Sequence, residues 1–364
     1  MSTRIRPFVE EDVPRIVDLH RRVWPDRSLL AESDESYSDY FAQTFLHHPW
    51  KGGPLCALVH EDGSEITGFI GSMPRQMRLD GGRLQLRVAS QLIVDPGKRG
   101  FAGIQLARKF LDGPQDLSLT DEANATARRI WERLGSVACP FHSLRWIAVL
   151  QPCRLGLFAM ERALKLPAVV ARALGPFARG IDRTAFRLPK NPLRPVEPRL
   201  GGAELDSETL TACLSDVANT KALRPEYDQL TVDWLLQRAS RISPNGRLKK
   251  TVVRDHTGRV AGWYIYQLHP RGLSEVLQLC AREPYANDVV ERLLHDAWTA
   301  GAVALTGRPE SNLLQTLADK HCLFWIPQRQ RMFIHSRRPE LINLFLRGDA
   351  FFSRLDGEWS LHFR

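Results

Sequence analysis

No CxxC pair and no cysteine–histidine cluster occurs in this chain; its six cysteines (Cys56, Cys139, Cys153, Cys213, Cys280, Cys322) are scattered. That pattern argues against structural zinc and against a disulfide framework, and reduced thiols in a cytoplasm are the expectation. No apolar run reaches transmembrane length, and the opening MSTRIRPFVEEDVPRIV lacks the apolar core of a signal peptide. Neither end of the chain has an excess of one charge: residues 1–150 carry 19 Lys+Arg and 19 Asp+Glu, and residues 201–364 carry 21 against 19. Of the net +9, the segment 151–200 alone holds +7, with 10 basic and 3 acidic residues. Basicity confined to a connector argues against a nucleic-acid partner.

What is present is the composition of a soluble globular protein, 43% hydrophobic and 25% charged, in 364 residues, too many for one small core. RIRPFVEEDVPRIVDLHRRVW opens as a short strand and continues as a helix with Val13, Ile16 and Val17 at helical spacing. A second helix covers Ser36 to Leu46. Three β-rich runs follow, separated by EDGS and DGG, both good hairpin turns. VDPGKRGFAGIQLARKFL then reads as strand, turn and helix; DLSLT is a strand, and DEANATARRIWERLG a helix ending at Gly135. The order is β-α-α-β-β-β-α-β-α. A connector of two helices broken near Pro167 and the proline-rich LPKNPLRPVEPR come next. From Leu200 the plan recurs without clear residue identity, which reads as a duplication.

Glycines 97, 100 and 103 bracket Lys98 and Arg99 just before a helix. Backbone N–H groups at a helix start, approached closely at glycine and flanked by cations, make an anion site suited to phosphate. A Walker loop is excluded because Lys98 is followed by Arg99 and not by a hydroxyl residue. A dinucleotide fingerprint fails too: the spacing is G-x-x-G-x-x-G and the preceding strands read as antiparallel hairpins. The bland alternative is a tight turn with solvated cations.

Three stretches, in this order of elements, resemble the GNAT acetyltransferase superfamily: ITGFIG (Ile66–Gly71), VDPGKRGFAGIQLARKFL, and NATARRIWERLG (Asn124–Gly135). Together they cover residues 1–150. The resemblance implies an α/β (α+β) fold of two GNAT-like domains, each a mixed, mostly antiparallel central sheet flanked by helices: 1–150 with the donor cradle, a connector at 151–200, and a degenerate copy at 201–364. It implies acetyl-CoA or another acyl-CoA as donor, held by Leu92, Val94, Lys98, Arg99, Gly100, Phe101, Ala102, Gly103 and Asn124, with no metal. Arg99 falls on the family's Arg/Gln, whereas Ala102 and Ile104 stand where glycine and then glycine or alanine are favoured. Trp131 replaces the tyrosine that often protonates the departing thiolate, and an indole N–H cannot give up its proton at neutral pH. Asp121 and His142 are then the candidate catalytic groups, with Cys139 behind them. Asp121 also reads as a helix N-cap, and His142 as an exposed loop residue. Ser90 and Gln91, on the strand entering the turn, face either the acyl group or ordinary strand surroundings.

The second copy has LCAREPYANDVVERLL where a cradle would lie, with Glu283 and Asp288 in place of cations, so no coenzyme A is expected there. It shapes an acceptor cleft against the first copy, or serves as a scaffold or dimerisation unit. In the connector, Leu166, Val169, Val170, Ala173, Leu174 and Phe177 form a helical stripe, with Arg162, Lys165, Arg172 and Arg179 largely off it. Residues 155–180 therefore suit an anionic membrane surface or an acidic acyl carrier protein, or a helix packed on its own domains. The reading overall is a cytoplasmic acyltransferase acting by direct attack of a small-molecule or peptide amine (or a hydroxyl), with a non-catalytic acyl-thioester-binding or assembly module, or an acyltransferase using acyl carrier protein as donor, as the alternatives.

Overall fold

Turn chemistry sets the first sheet. Gly63 (φ 64°) closes one hairpin, and Asp80 (φ 49°) with Gly81 (φ 82°) closes the next, both where EDGS and DGG call for left-handed backbone. The computed structural model describes residues 3–24, 34–50, 56–98, 100–164, 168–185, 196–216, 221–242, 246–270, 272–328 and 330–361. The first half runs β1 (Thr3–Pro7), α1 (Val13–Val23), α2 (Asp34–Phe45), β2 (Leu58–Asp62), β3 (Glu65–Leu79), β4 (Gly82–Val94), α3 (Phe101–Leu111), β5 (Leu117–Ala123), α4 (Ala125–Arg133), β6 (Val137–Ala138), α5 (Pro140–Ser143) and β7 (Arg145–Val149). Two helices follow, α6 (Pro152–Ala163) and α7 (Ala168–Ala185), packed on each other. The second half runs β8 (Gly201–Glu204), α8 (Ser207–Asp216), β9 (Leu223–Pro225), α9 (Gln229–Arg241), β10 (Arg247–Arg254), β11 (Val260–Leu268), β12 (Leu273–Ala281), α10 (Ala286–Thr299), β13 (Ala304–Gly307), α11 (Leu314–Asp319), β14 (Leu323–Trp325), β15 (Arg331–His335) and α12 (Pro339–Leu346).

Two mixed, mostly antiparallel sheets result. The first has the order β1-β2-β3-β4-β5-β15-β6, with β9 added beside the far end of β3; the second has β14-β7-β13-β12-β11-β10-β8. In each sheet one parallel pair stands among antiparallel ones, β4 with β5 and β12 with β13.

The halves have exchanged strands. β15, from the second half of the chain, sits between β5 and β6 of the first sheet. β7, from the first half, sits between β13 and β14 of the second. Residue 150 therefore separates the element order of the two halves but not their sheets. A short apolar run specifies a strand without naming its neighbour, and the sequence division at 150 assigned both strands to their local half.

Each sheet is covered on both faces. Ile16, Val17 and Leu19 of α1 and Tyr37, Phe41 and Phe45 of α2 pack with Phe8 and Phe69 on one face of the first sheet. Leu106, Phe110 and Leu111 of α3 and Trp131 of α4 cover the other. In the second sheet α10 supplies Val289, Val290, Leu293 and Ala297 to one core, while α8 and α9 form a second core with Trp263 and Trp359. The closing segment, residues 350–361, is buried along its whole length and touches both sheets.

Candidate active site

The site begins at an irregularity in β4. The β3–β4 ladder pairs Phe69 with Ile93 and Gly71 with Ser90, so Gln91 and Leu92 stand opposite the single residue Ile70. Gln91 takes φ 53°, a β-bulge that interrupts the pairing. Gly71 explains part of the ITGFIG motif: a Cβ there would lie 2.4 Å from Phe45 Cε1 and 2.9 Å from the Ser90 carbonyl oxygen.

A chain of hydrogen bonds holds Gln91 in this conformation. Tyr37 Oη lies 2.9 Å from His20 Nδ1, and His20 Nε2 lies 3.2 Å from Gln91 Oε1. Gln91 Nε2 donates to Tyr40 Oη at 3.2 Å, and Tyr40 Oη donates to the Leu361 carbonyl at 2.5 Å. The polarity is consistent throughout when His20 carries its proton on Nε2 and accepts from Tyr37. His20 and Tyr40 are buried, and burial raises the Tyr40 phenol well above its ordinary range.

Beyond the bulge β4 and β5 part company. Their parallel pairing spans only Leu86–Val88 against Leu117–Leu119. The turn Glu358–Leu361 lies against both strands. Glu358 Oε1 accepts from Thr120 Oγ1 at 2.5 Å, Asp121 N at 2.8 Å and Glu122 N at 3.0 Å. These two consecutive amides are released where the β5–β15 register slips. Asp121 is committed in the same place. Its Oδ1 accepts the Glu358 N–H at 2.7 Å, and its Oδ2 lies 2.7 Å from Arg308 Nη2, with both side chains buried. Glu122 meets Arg354 at 3.2 Å and Arg145 at 3.6 Å. Burial, and then the neighbouring Asp121 carboxylate, pushes the Glu358 carboxyl up.

On the outer side, the N-terminus of α3 follows the Gly97–Gly103 turn. Gly100 is its N-cap residue, and among the described residues no side chain caps its first amides. A Cβ at Gly100 would meet nothing within 4 Å, whereas one at Gly103 would lie 3.4 Å from Val94 Cγ2 and 3.5 Å from Ile130 Cδ1. Gly103 thus lies where α3 rests on β4 and α4, at distances that would be ordinary contacts for a Cβ, and Gly100 leaves the approach from solvent open. Ala102 is buried, Ile104 half-buried, and Phe101 is 81% exposed. Carboxylates attend the nearby cations: Lys98 Nζ lies 2.8 Å from Asp62, and Arg22 Nη2 3.0 Å from Asp95, which also accepts the Gly97 N–H at 2.9 Å. These are exposed pairs, each worth about 0–1 kcal/mol, so an arriving pyrophosphate competes with them at little cost. Open amides, a bare Gly100 and weakly held cations fit a phosphate-bearing donor. Arg99 lies outside the described residues.

The remaining expected residues divide by location. Leu92 and Val94 are half-buried on β4 beside the turn. Asn124, and not Asp121, is the N-cap of α4; its Oδ1 accepts from Thr126 N and Ala127 N, each at 3.0 Å. Trp131 is buried against Phe110, with ring centroids 6.2 Å apart, a core position. His142 is a buried ring and not an exposed loop residue: it packs between Phe141 and Phe345, with Nε2 3.2 Å from the Ala350 carbonyl. Burial pulls its pKa down to about 4. Cys139 is buried as well, and its thiol is pushed up to about 12. In the second half Glu283 lies in the short turn before α10, and Asp288 lies in that helix's first turn. Among the described residues no group of three or more His, Cys, Asp or Glu is placed to hold a metal, and no helix is long and apolar enough to cross a membrane.

His20, Tyr37, Tyr40 and Glu358 were missed by sequence reasoning. The signal available for the first three was a polar side chain on the buried stripe of an amphipathic helix; Glu358 had none.

No protein-family profile matches the chain, and no curated protein resembles it in sequence. Its fold does have solved counterparts. A probable N-acyltransferase of unknown function from Enterococcus faecalis V583 superposes with a TM-score of 0.59 at 12% identity, over 96% of this chain and 74% of that one. A GCN5-related N-acetyltransferase from Anabaena variabilis gives 0.59 at 11% identity, over 93% and 74%. Eis1 from Mycobacterium abscessus gives 0.51 at 13% identity, over 92% and 74%.

Proposed function

From a fold shared with GCN5-related N-acetyltransferases, we propose that this chain is an acyltransferase that moves an acetyl or longer acyl group from coenzyme A to an amine. The observation that carries the reading is the bulge at Gln91, which opens β4 where it separates from β5, next to a helix start with uncapped amides. The amides of the α3 first turn, Gly100 and Lys98 bind the pyrophosphate; Leu92 and Val94 line the path of the pantetheine arm, with Asn124 at its side. The donor supplies an activated thioester carbonyl. Backbone N–H groups freed from the ladder at the bulge polarise that carbonyl, and the Tyr37–His20–Gln91–Tyr40 chain keeps them fixed. His20 uses both ring nitrogens within that chain and so acts as a positioning group; the attacking amine gives up its proton to water, and the departing coenzyme A thiolate takes one from water. Asp121 and His142, enclosed in ion pairs and aromatic packing, keep the framework in register.

Titration calorimetry of acetyl-CoA, and of a longer acyl-CoA, into wild type and Gly100→Val is the test. A Cβ at this position meets nothing within 4 Å, so the variant should fold, as circular dichroism checks, and block the approach of the phosphates. The expectation is binding by wild type and at least tenfold weaker binding by the variant. Release of free thiol on adding a panel of amines then marks an enzyme; binding without release across the panel marks a non-catalytic acyl-thioester module. No binding of either donor, or binding indifferent to Gly100→Val, refutes the assignment.

A further inference from the structure

The connector between the two halves carries a feature that acyl transfer does not use. α6 buries none of its residues, and α7 leaves Val170 41%, Leu174 43%, Phe177 73% and Ile181 59% exposed. The hairpin is nevertheless firmly held at one end. Asp182 accepts from Cys153 N at 2.9 Å and Arg154 N at 3.1 Å, and Arg154 donates to the Pro270 carbonyl at 2.6 Å and the Gly301 carbonyl at 3.3 Å. So the stripe seen in the sequence is not packed on its own domains; it faces water on an anchored helix. Leu166 and the side chain of Val169 lie outside the described residues.

The geometry of the stripe selects its occupant. The exposed residues step by four, three and four along α7, the spacing of a coiled-coil seam, and at 100° per residue they fall within an arc of about 60°. Arg179 and Arg183, also exposed, project roughly 150–170° away from it. An anionic membrane or an acidic carrier protein would need those cations beside the apolar residues, on the contacting face. A narrow apolar seam with its charges behind it suits another helix of the same kind. We propose that α7 is a self-association surface, pairing with α7 of a second copy of this chain about a two-fold axis. Each half-exposed side chain offers roughly 100 Å², so the four give about 800 Å² in the pair, or about 1,200 Å² when Met160 of α6 and Leu164 at its C-cap, both exposed, join them. That lies at or below the lower limit of stable interfaces, and it sets the expected affinity in the micromolar range.

Sedimentation velocity of the full chain from about 1 to 100 µM tests this. Wild type should pass from monomer to dimer with concentration. Leu174→Glu/Phe177→Glu, and Phe177→Gln alone as a milder change, should weaken the dimer at least tenfold with unaltered circular dichroism, while Arg179→Glu should leave it unchanged. A monomer at every concentration overturns the proposal. So does a dimer indifferent to the seam variants. Seam-dependent flotation of a monomeric protein with vesicles of phosphatidylcholine and phosphatidylglycerol would also overturn it, by assigning the face to lipid.

Discussion

Removing the Asp121 carboxylate separates a chemical role from an architectural one. The pair with Arg308 joins β5 of the first sheet to the segment after β13 of the second, at 2.7 Å, with the two side chains 0% and 5% exposed. Arg308 has a second bond to the Asp121 carbonyl at 3.0 Å, but its Nε and Nη1 find no acceptor among the described residues. In Asp121→Ala the guanidinium therefore stays buried with its charge uncompensated, which costs about 3–5 kcal/mol. The Glu358 N–H loses its acceptor as well, a contribution that overlaps with the first because both act through one carboxylate. Asp121→Asn restores that acceptor and removes only the charge, so it should cost less than alanine. The assay is urea unfolding of the full chain, followed by far-ultraviolet circular dichroism and tryptophan fluorescence, with thiol release measured per folded molecule. The architectural reading expects both variants to be destabilised in that order, with the specific activity of the folded fraction within a few-fold of wild type. Loss of stability below about 1 kcal/mol together with a hundredfold loss of activity would refute it and return Asp121 to the reaction.

Two further perturbations follow from the packing. Gly71→Ala places a methyl group against the Phe45 ring and the Ser90 carbonyl and should cost about 1–3 kcal/mol in denaturant unfolding. Gly68→Ala meets chiefly Leu106 Cδ1, the movable end of a side chain, and should cost less. His142, neutral in the fold with its pKa pulled down to about 4, must gain a proton on unfolding below its ordinary 6.5. Its contribution is thus complete above pH 6.5 and is lost as pH falls toward 4, on the order of 3 kcal/mol over that window. His142→Phe should flatten this part of the stability–pH curve measured by denaturant midpoints; a slope equal to wild type would contradict it.

The order of elements in the first half was legible because periodicity, the two hairpin turns and Gly135 (φ 80°) are local signals. The connector's two helices were legible for the same reason. Strand exchange was not. RWIAV and RMFIH are both short, continuous apolar runs, and nothing within either names the sheet that receives it. The bulge at Gln91 was equally hidden, since no glycine or asparagine marks it and its left-handed backbone rests on His20 and Tyr40, distant in sequence. FFSRLDGEWSL has no period, yet it is buried throughout, because its charged groups meet partners from both halves, such as Glu358 with β5 and Arg354 with Glu275.

The exchanged strands also set an order of events during synthesis. β5 and β6 acquire the strand between them only when residues 331–335 have been made, about 200 residues after β6 itself. At roughly 5–20 residues per second, the nascent first sheet waits about 10–40 s with an open edge on β5. For that interval the growing chain exposes the pairing surface on which a neighbouring nascent chain could add its own RMFIH, so crowded ribosomes on one message put this fold at risk of joining the wrong copies together.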